Sequence, residues 1–293
     1  MSKRLLELDL LQAFLAVIDL GSFTSAAERL HSTQSTISQK VRRLEERVGH
    51  KLLERNSRRV LTTEAGQIVL AYARQMVNVN DQLFEALSGA LVTITVRLGV
   101  PDDFAGGKTT RALAQFSQHY PQVKLEVSSG LSSDLIQAYD QGELDLVLIK
   151  QRQHSREAVI RLPEKTAWVD SATHPAFHQD PIPLVTFPKR GVYREEIISA
   201  VESLGRRWRI SFTSSSLRGI QGAVADGMGI SLLPRRAVEP AHIELGIKQG
   251  LPLIDAFELA LCHRPNAEPL VQALCQMLGR MLQQETASEQ PAV

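Results

Sequence analysis

Residues Arg29 to Gly49 read RLHSTQSTISQKVRRLEERVG, a stretch with few, regularly spaced apolar residues and a front half made almost wholly of hydroxyl and amide side chains. Ile37, Val41, Leu44 and Val48 step by four, three and four, which sets one narrow apolar seam on a helix that Gly49 ends. At about 100° per residue the opposite face carries Ser35, Gln39, Arg42 and Glu46, flanked by Thr36, Ser38 and Arg43. Thr33 is the expected N-cap, because its hydroxyl can accept from a free amide of the first turn. A solvated helix face is ordinarily rich in Glu and Lys four apart, yet from Thr33 to Gln39 there is no charge at all. Such a front suits base edges: Gln can bond adenine twice, Ser and Thr can serve several bases, and Arg favours guanine or phosphate.

The preceding residues supply a support for that helix. Leu10, Leu11, Phe14, Val17 and Ile18 predict a helix over Asp9 to Leu20, stopped by Gly21. Phe23, Ala26, Ala27 and Leu30 share a face of a second, short helix whose alanines permit close approach. Two helices joined by a short turn and followed by the polar one predict a helix-turn-helix, with the N-terminal end of the polar helix in the major groove. Beyond Gly49, HKLLERNSRRVLTTEAG places two β-capable stretches around the basic turn Asn56 to Arg59, the pattern of a wing. Its arginines can enter a minor groove or neutralise phosphates.

Charge agrees with this placement. The whole chain of 293 residues is close to neutral at +1, but residues 1–66 hold 11 Lys and Arg against 8 Asp and Glu, and from Lys40 to Arg59 the balance is eight against three. Hydrophobic and charged fractions of 43% and 22% exclude a disordered or collagenous chain, and the length favours more than one domain. Acids at Glu7, Asp9 and Asp19 interrupt the apolar start, so it reads as a helix of the mature protein rather than a leader. No apolar run reaches the roughly 18 residues of a membrane span, which makes the cytoplasm the expected location and a membrane no partner. Cys262 and Cys275, without CxxC spacing, read as buried thiols.

The segment FTSAAERLHSTQSTISQKVRRLEERVGHKLLERNSRRVLTTEAG resembles the DNA-binding signature of LysR-type transcriptional regulators, without gaps from Leu10 to Gly66. The resemblance implies that Gln34, Ser35, Ser38 and Gln39 read bases, with Arg55 and Arg58 on the wing; Thr33, Arg42 and Arg43 complete the expected DNA contacts. The family usually carries Pro after the Gln, where this chain has Ser35. A narrower likeness, carried by IPLVTFPKRGVYREEIISAV and WRISFTSSSLRGIQGAVADGMGISLLPR, is to the branch that represses motility and secreted enzymes.

From Glu64 onward Ala65, Val69, Tyr72, Met76, Val79, Leu83, Ala86 and Ala90 alternate steps of four and three, which predicts a two-helix seam. Two symmetry-related heads would then read an inverted repeat in double-stranded DNA. In the family this helix dimerises and paired dimers form homotetramers, and the resemblance admits RNA polymerase as a further partner. After Leu91 strands and helices alternate: TITVRLGV, VKLEVSS and DLVLIK read as buried parallel strands, and IPLVTF, WRISFT, GISLLP and FELALC follow. The expected fold is α/β behind an N-terminal all-α winged helix-turn-helix, with an effector domain of two Rossmann-like subdomains similar to the type 2 periplasmic-binding fold. The expected domains are 1–63 for the winged helix-turn-helix, 64–91 for the linker helix and 92–293 for the effector domain. Within the last, subdomain I spans about 92–166 and 264–293, and subdomain II about 167–263.

Ligands of open α/β sheets bind beyond the C-terminal strand ends, which directs attention to Asp102, Asp103, Ser129, Thr186, Ser214 and Ser215. SSGLSSD and TSSSL each lead into a helix, where free amides favour an anion such as a carboxylate. Asp102 and Asp103 favour a donor or cationic group instead. The G-x-S-x-G elbow, GxGxxG and P-loop are absent, and His174 and His178 lack a third ligand nearby, so neither catalysis, cofactor nor metal is expected. Two alternatives remain: a DNA-architectural protein without effector, and an enzyme carrying a DNA-binding head.

Overall fold

The computed structural model describes residues 5–56, 59–87 and 94–288. The chain forms two compact units, one of Met1–Thr95 with Gln122–Lys124 and Ala138–Leu144, the other of Val96–Pro121, Leu125–Gln137 and Asp145–Val293. The first holds α1 (Leu8–Leu20), α2 (Phe23–Arg29), α3 (Gln34–Val48), β1 (Leu53–Asn56), β2 (Arg59–Thr62) and α4 (Glu64–Leu87). Gly21 and Gly49 end α1 and α3 with φ of 63° and 79°, the left-handed geometry that costs glycine little. Ser22 caps α2, its Oγ accepting from the Ser25 amide at 3.3 Å. The expected seam packs inward: Ile37, Val41 and Leu44 of α3 join Leu10, Phe14 and Val17 of α1 and Ala26 and Ala27 of α2 in one core.

The antiparallel β1–β2 hairpin makes the wing, with Leu53 opposite Thr62. A Cβ at Gly66 would overlap the Leu52 carbonyl, so this close approach of α4 to the wing requires glycine. Leu70 and Ala73 of α4 are buried in the same core, with Ala65, Val69 and Val77 packed against it. This corrects the expected seam, because Ala65 and Val69 serve their own domain. The uncovered face instead carries Ile68, Tyr72, Met76, Val79, Leu83 and Leu87, all exposed. Ala90 and the side chain of Ala86 lie outside the described residues.

After α4 come β3 (Ile94–Pro101), α5 (Lys108–His119), β4 (Val123–Gly130), α6 (Ser132–Asp140), β5 (Leu146–Arg152) and β6 (Ile160–Pro163), which lie mostly in the second unit. It continues with β7 (Thr166–Ser171), β8 (Ile182–Thr186), α7 (Arg194–Ser203), β9 (Trp208–Thr213), α8 (Leu217–Ala225), β10 (Ser231–Pro234) and β11 (His242–Leu245), and closes with β12 (Phe257–His263) and α9 (Pro269–Ser288). One sheet has the order β4-β3-β5-β12-β6; β3 and β5 are parallel, with Leu98 opposite Leu146, while β12 lies antiparallel to both β5 and β6. The sheet is therefore mixed rather than parallel throughout.

A second core surrounds the parallel pair β8–β9 and the antiparallel trio β10-β7-β11, with Ile182, Leu184, Ile197, Val201, Ile220 and Leu232 at its centre. The expected second subdomain of 167–263 is too long at its end, because Phe257–His263 pairs with β5 along its full length and belongs to the first. The two crossover segments run side by side: the Glu164 amide donates to the Phe257 carbonyl at 3.0 Å, and the Thr166 hydroxyl to the Ile254 carbonyl at 2.8 Å. β4 also differs from expectation, since this edge strand leaves Lys124, Glu126, Val127, Ser128 and Ser129 exposed.

Candidate nucleic-acid interface and effector cleft

The exposed front of α3 is assembled by its own capping. Thr33 Oγ1 accepts from the Thr36 amide at 3.2 Å and lies 2.9 Å from Ser35 Oγ and 2.8 Å from Thr36 Oγ1. Ser35 is thus tied into the cap and retains a hydroxyl at the helix tip. Gln34, Ser35, Gln39 and Arg42 are exposed on this end and Ser38 half-buried. Arg42 has no acidic partner among the described residues. Arg43 differs, because its guanidinium donates to Glu7 at 2.8 Å, a carboxylate that Arg47 also approaches at 3.4 Å. A phosphate would have to compete with Glu7 for Arg43. Arg58 and the side chain of Arg55 lie outside the described residues.

A residue that the sequence did not single out connects this helix to its wing. Glu45, on the inner side of α3, is buried; its carboxylate accepts from the Leu52 amide at 3.0 Å and from Lys51 Nζ at 2.7 Å, with the Leu53 amide at 3.5 Å. Burial alone would raise its pKa, but Lys51 and the two amides outweigh that and hold it below the usual 4.5. A depressed carboxylate stabilises the fold fully above its unfolded pKa, and the stabilisation is lost as pH falls through the folded value. Glu45→Gln should therefore lower the unfolding midpoint near neutrality, by about 1–3 kcal/mol of stability. Calorimetry across pH 3 to 7 checks this, with the gap to the parent protein closing at the acid end.

In the second unit Asp103, Lys150, Glu164, Tyr193 and Arg236 converge from five separate elements and loops. Lys150 Nζ lies 2.7 Å from Asp103 and 3.7 Å from Glu164. Arg236 donates to Glu164 at 2.7 Å and, by a short bond, to Asp103. The Tyr193 hydroxyl donates to Glu164 Oε1 at 2.8 Å. The Phe104 ring lies 4.2 Å from the Arg236 guanidinium carbon, which it can engage through its π face. Burial would push the Asp103 carboxyl up, but Lys150 and Arg236 hold it below its ordinary value. Burial, reinforced by Glu164, pushes Tyr193 well above 10, so it remains a neutral donor.

This cluster floors a cleft lined by Asp102, Ser132, Ser215 and the apolar Leu131, Phe187, Val192 and Leu217. Of the expected effector residues, Asp102, Asp103 and Ser215 line it. Ser129 is exposed on β4 outside that lining. Thr186 is fully buried and accepts from Arg194 at 2.9 Å, while Ser214 Oγ accepts from the Ser216 amide at 3.2 Å. These two hydroxyls shape the strand ends rather than line the cleft. Lys150, Glu164, Tyr193 and Arg236 escaped the sequence reading, since each sits alone in an otherwise ordinary segment.

Residues 8–67 match the bacterial regulatory helix-turn-helix protein family, lysR type, and residues 90–283 match the LysR substrate binding domain. The chain is 30% identical to the HTH-type transcriptional regulator PecT of Dickeya dadantii over 261 residues, covering 89% of this chain and 83% of that one. It is 31% identical to the HTH-type transcriptional regulator DgdR of Burkholderia cepacia over 249 residues, covering 85% and 84%. Its fold is similar to full-length LysG of Corynebacterium glutamicum with bound effector Arg, at 20% identity and a TM-score of 0.66 over 95% of this chain and 99% of that one. With both of its regions matched and its helix-turn-helix and two-subdomain domain built as described, the chain belongs to the LysR family: it is a DNA-binding transcriptional regulator carrying an effector-binding domain.

Proposed function

We propose that the chain works as a homodimer, paired into a tetramer, that reads an inverted repeat through Thr33, Gln34, Ser35, Ser38 and Gln39, with Arg42, Arg43 and the wing residues Arg55 and Arg58 on phosphates or the minor groove. The observation that carries this reading is the exposed, uncharged polar tip of α3 capped through Thr33. The cleft between the two α/β subdomains holds the small-molecule effector. A ligand that prefers one subdomain arrangement shifts the population toward it, which changes the spacing of the heads, the operator bend and the contact with RNA polymerase. A ligand with equal affinity for both arrangements would change nothing.

The protein acts in the cytoplasm and is not an enzyme. No helix among the described residues is long and apolar enough to cross a membrane. The buried charged groups of the cleft are engaged with one another, which leaves none of them free as a general base. Selection of genomic fragments by the purified protein tests the reading, and failure to retain any fragment at low salt would defeat it. On the selected operator, Gln34→Ala should relax preference at one base pair at a cost of about 1–3 kcal/mol. Arg42→Ala should weaken binding evenly across sequences and reduce the salt slope by about one. Fluorescence anisotropy on an operator and its single-base variants separates the two, and an exchange of their effects would overturn the assignments.

A further inference from the structure

We propose that the effector is an organic amine, a compact molecule with an apolar body and one protonated nitrogen that Asp102 holds. The inference rests on the reading of the cleft as the ligand site. Three carboxylates, Asp102, Asp103 and Glu164, meet two cations, Lys150 and Arg236, so the cleft and its floor carry one net negative charge. Both cations are engaged. Lys150 points its ammonium at Asp103 at 2.7 Å and lies 5.5 Å from the Tyr193 ring centroid, while Arg236 grips Glu164 and Asp103 from beneath. A ligand carboxylate could recruit either one only by pulling it from a buried carboxylate, leaving that charge uncompensated in a low-dielectric site.

Asp102 is the exception. It is exposed at the rim, and no ion pair or hydrogen bond engages its carboxylate among the described residues. Arg218 lines the adjoining groove that shares Asp102 but forms no ion pair with it. The cleft that Asp102 lines also has apolar walls, Leu131, Val192 and Leu217, together with the hydroxyls of Ser132 and Ser215. Ser132 Oγ accepts from the Lys150 amide at 2.9 Å, which leaves its own hydrogen for a neutral acceptor on the ligand. An apolar body against the walls and a cation against Asp102 match the side chains of the lining, whereas a carboxylate in the same place meets Asp102 as a like charge.

The test uses the full-length protein at pH 7 with three probes of similar shape: 2-phenylethylamine, 2-phenylethanol and 3-phenylpropanoate. The amine should raise Tm by about 3 °C at ten times its Kd, the alcohol less and the carboxylate not at all, and Asp102→Asn should remove the advantage of the amine over the alcohol. The proposal is overturned if the carboxylate stabilises as well as the amine, if the amine shift survives unchanged in Asp102→Asn, or if the amine produces no shift. Ser215→Trp, which fills the mouth of the cleft, separates the two readings. Carboxylate stabilisation that this variant abolishes retains the cleft as the ligand site and rejects only the amine; probe shifts that all survive it reject the cleft as well.

Discussion

Glutamates at Val79 and Leu83 together should convert the protein to monomers and lower its operator affinity by roughly 10²- to 10⁴-fold. Both side chains are exposed, at 56% and 55%, on the face of α4 that its own domain leaves bare. Neither contributes to the helix-turn-helix core, so the fold of the monomer should survive the change. The size of the effect comes from linkage rather than from any DNA contact. Once one head is bound, a dimer partner reaches the second half-site at a high effective concentration, and a monomer loses that advantage entirely. Burying two glutamates in an apolar seam without partners is costly enough to dissociate it. Sedimentation velocity gives the oligomeric state, and anisotropy on full operators and half-sites gives the affinity. A variant that remains dimeric would remove α4 as the dimer seam, while a monomer with unchanged half-site binding is the expected result.

In the effector domain the largest stability effect should come from Asp103→Ala. Asp103 is the carboxylate that both Lys150 and Arg236 engage, and removing it leaves two buried cations facing Glu164 alone. Breaking a buried ion network by deleting one partner costs about 3–5 kcal/mol, or roughly 10 °C in Tm for a domain of this size. Combining Asp103→Ala with Lys150→Met should recover much of the loss, because it restores charge balance with a side chain of similar length. Thermal unfolding of the parent protein, the two single variants and the double variant measures this coupling, and strictly additive effects would refute the network. The pH dependence has a definite sign. Asp103 has a folded pKa below its ordinary 3.8, so its contribution is complete above that value and is lost as pH falls further, through the folded pKa.

The same network explains how an α/β domain with two subdomains can be both stable and responsive. Asp103 follows the first strand of one subdomain, Glu164 stands in a crossover segment, and Tyr193 and Arg236 come from the other subdomain. Opening the cleft would therefore stretch ion pairs that are worth most when water is excluded. Burial in the first subdomain also accounts for the two cysteines: Cys262 and Cys275 are both buried thiols outside any disulfide, and burial pushes the Cys275 thiol up to about 11, where it is a poor nucleophile.

The sequence alone determined the features governed by neighbours a turn or two apart. The α3 seam of Ile37, Val41 and Leu44, the Thr33 cap and the stops at Gly21 and Gly49 all appear where spacing and capping chemistry put them, because a helix presents its faces at a fixed angular step. The tertiary structure alone decided what depends on residues far apart in the chain. The α4 pattern is apolar on two sides, and only the packing of Leu70 and Ala73 against α1 reveals that Ile68, Tyr72, Val79 and Leu83 are the bare face. FELALC is a buried strand by composition, but whether it pairs with β5 or joins the second subdomain is a matter of topology that alternation cannot encode. The cleft floor is the clearest case. Asp103, Lys150, Glu164, Tyr193 and Arg236 carry no shared motif, and they become a charge-balanced cluster only because two crossover segments lie side by side and bring both subdomains onto the same buried site.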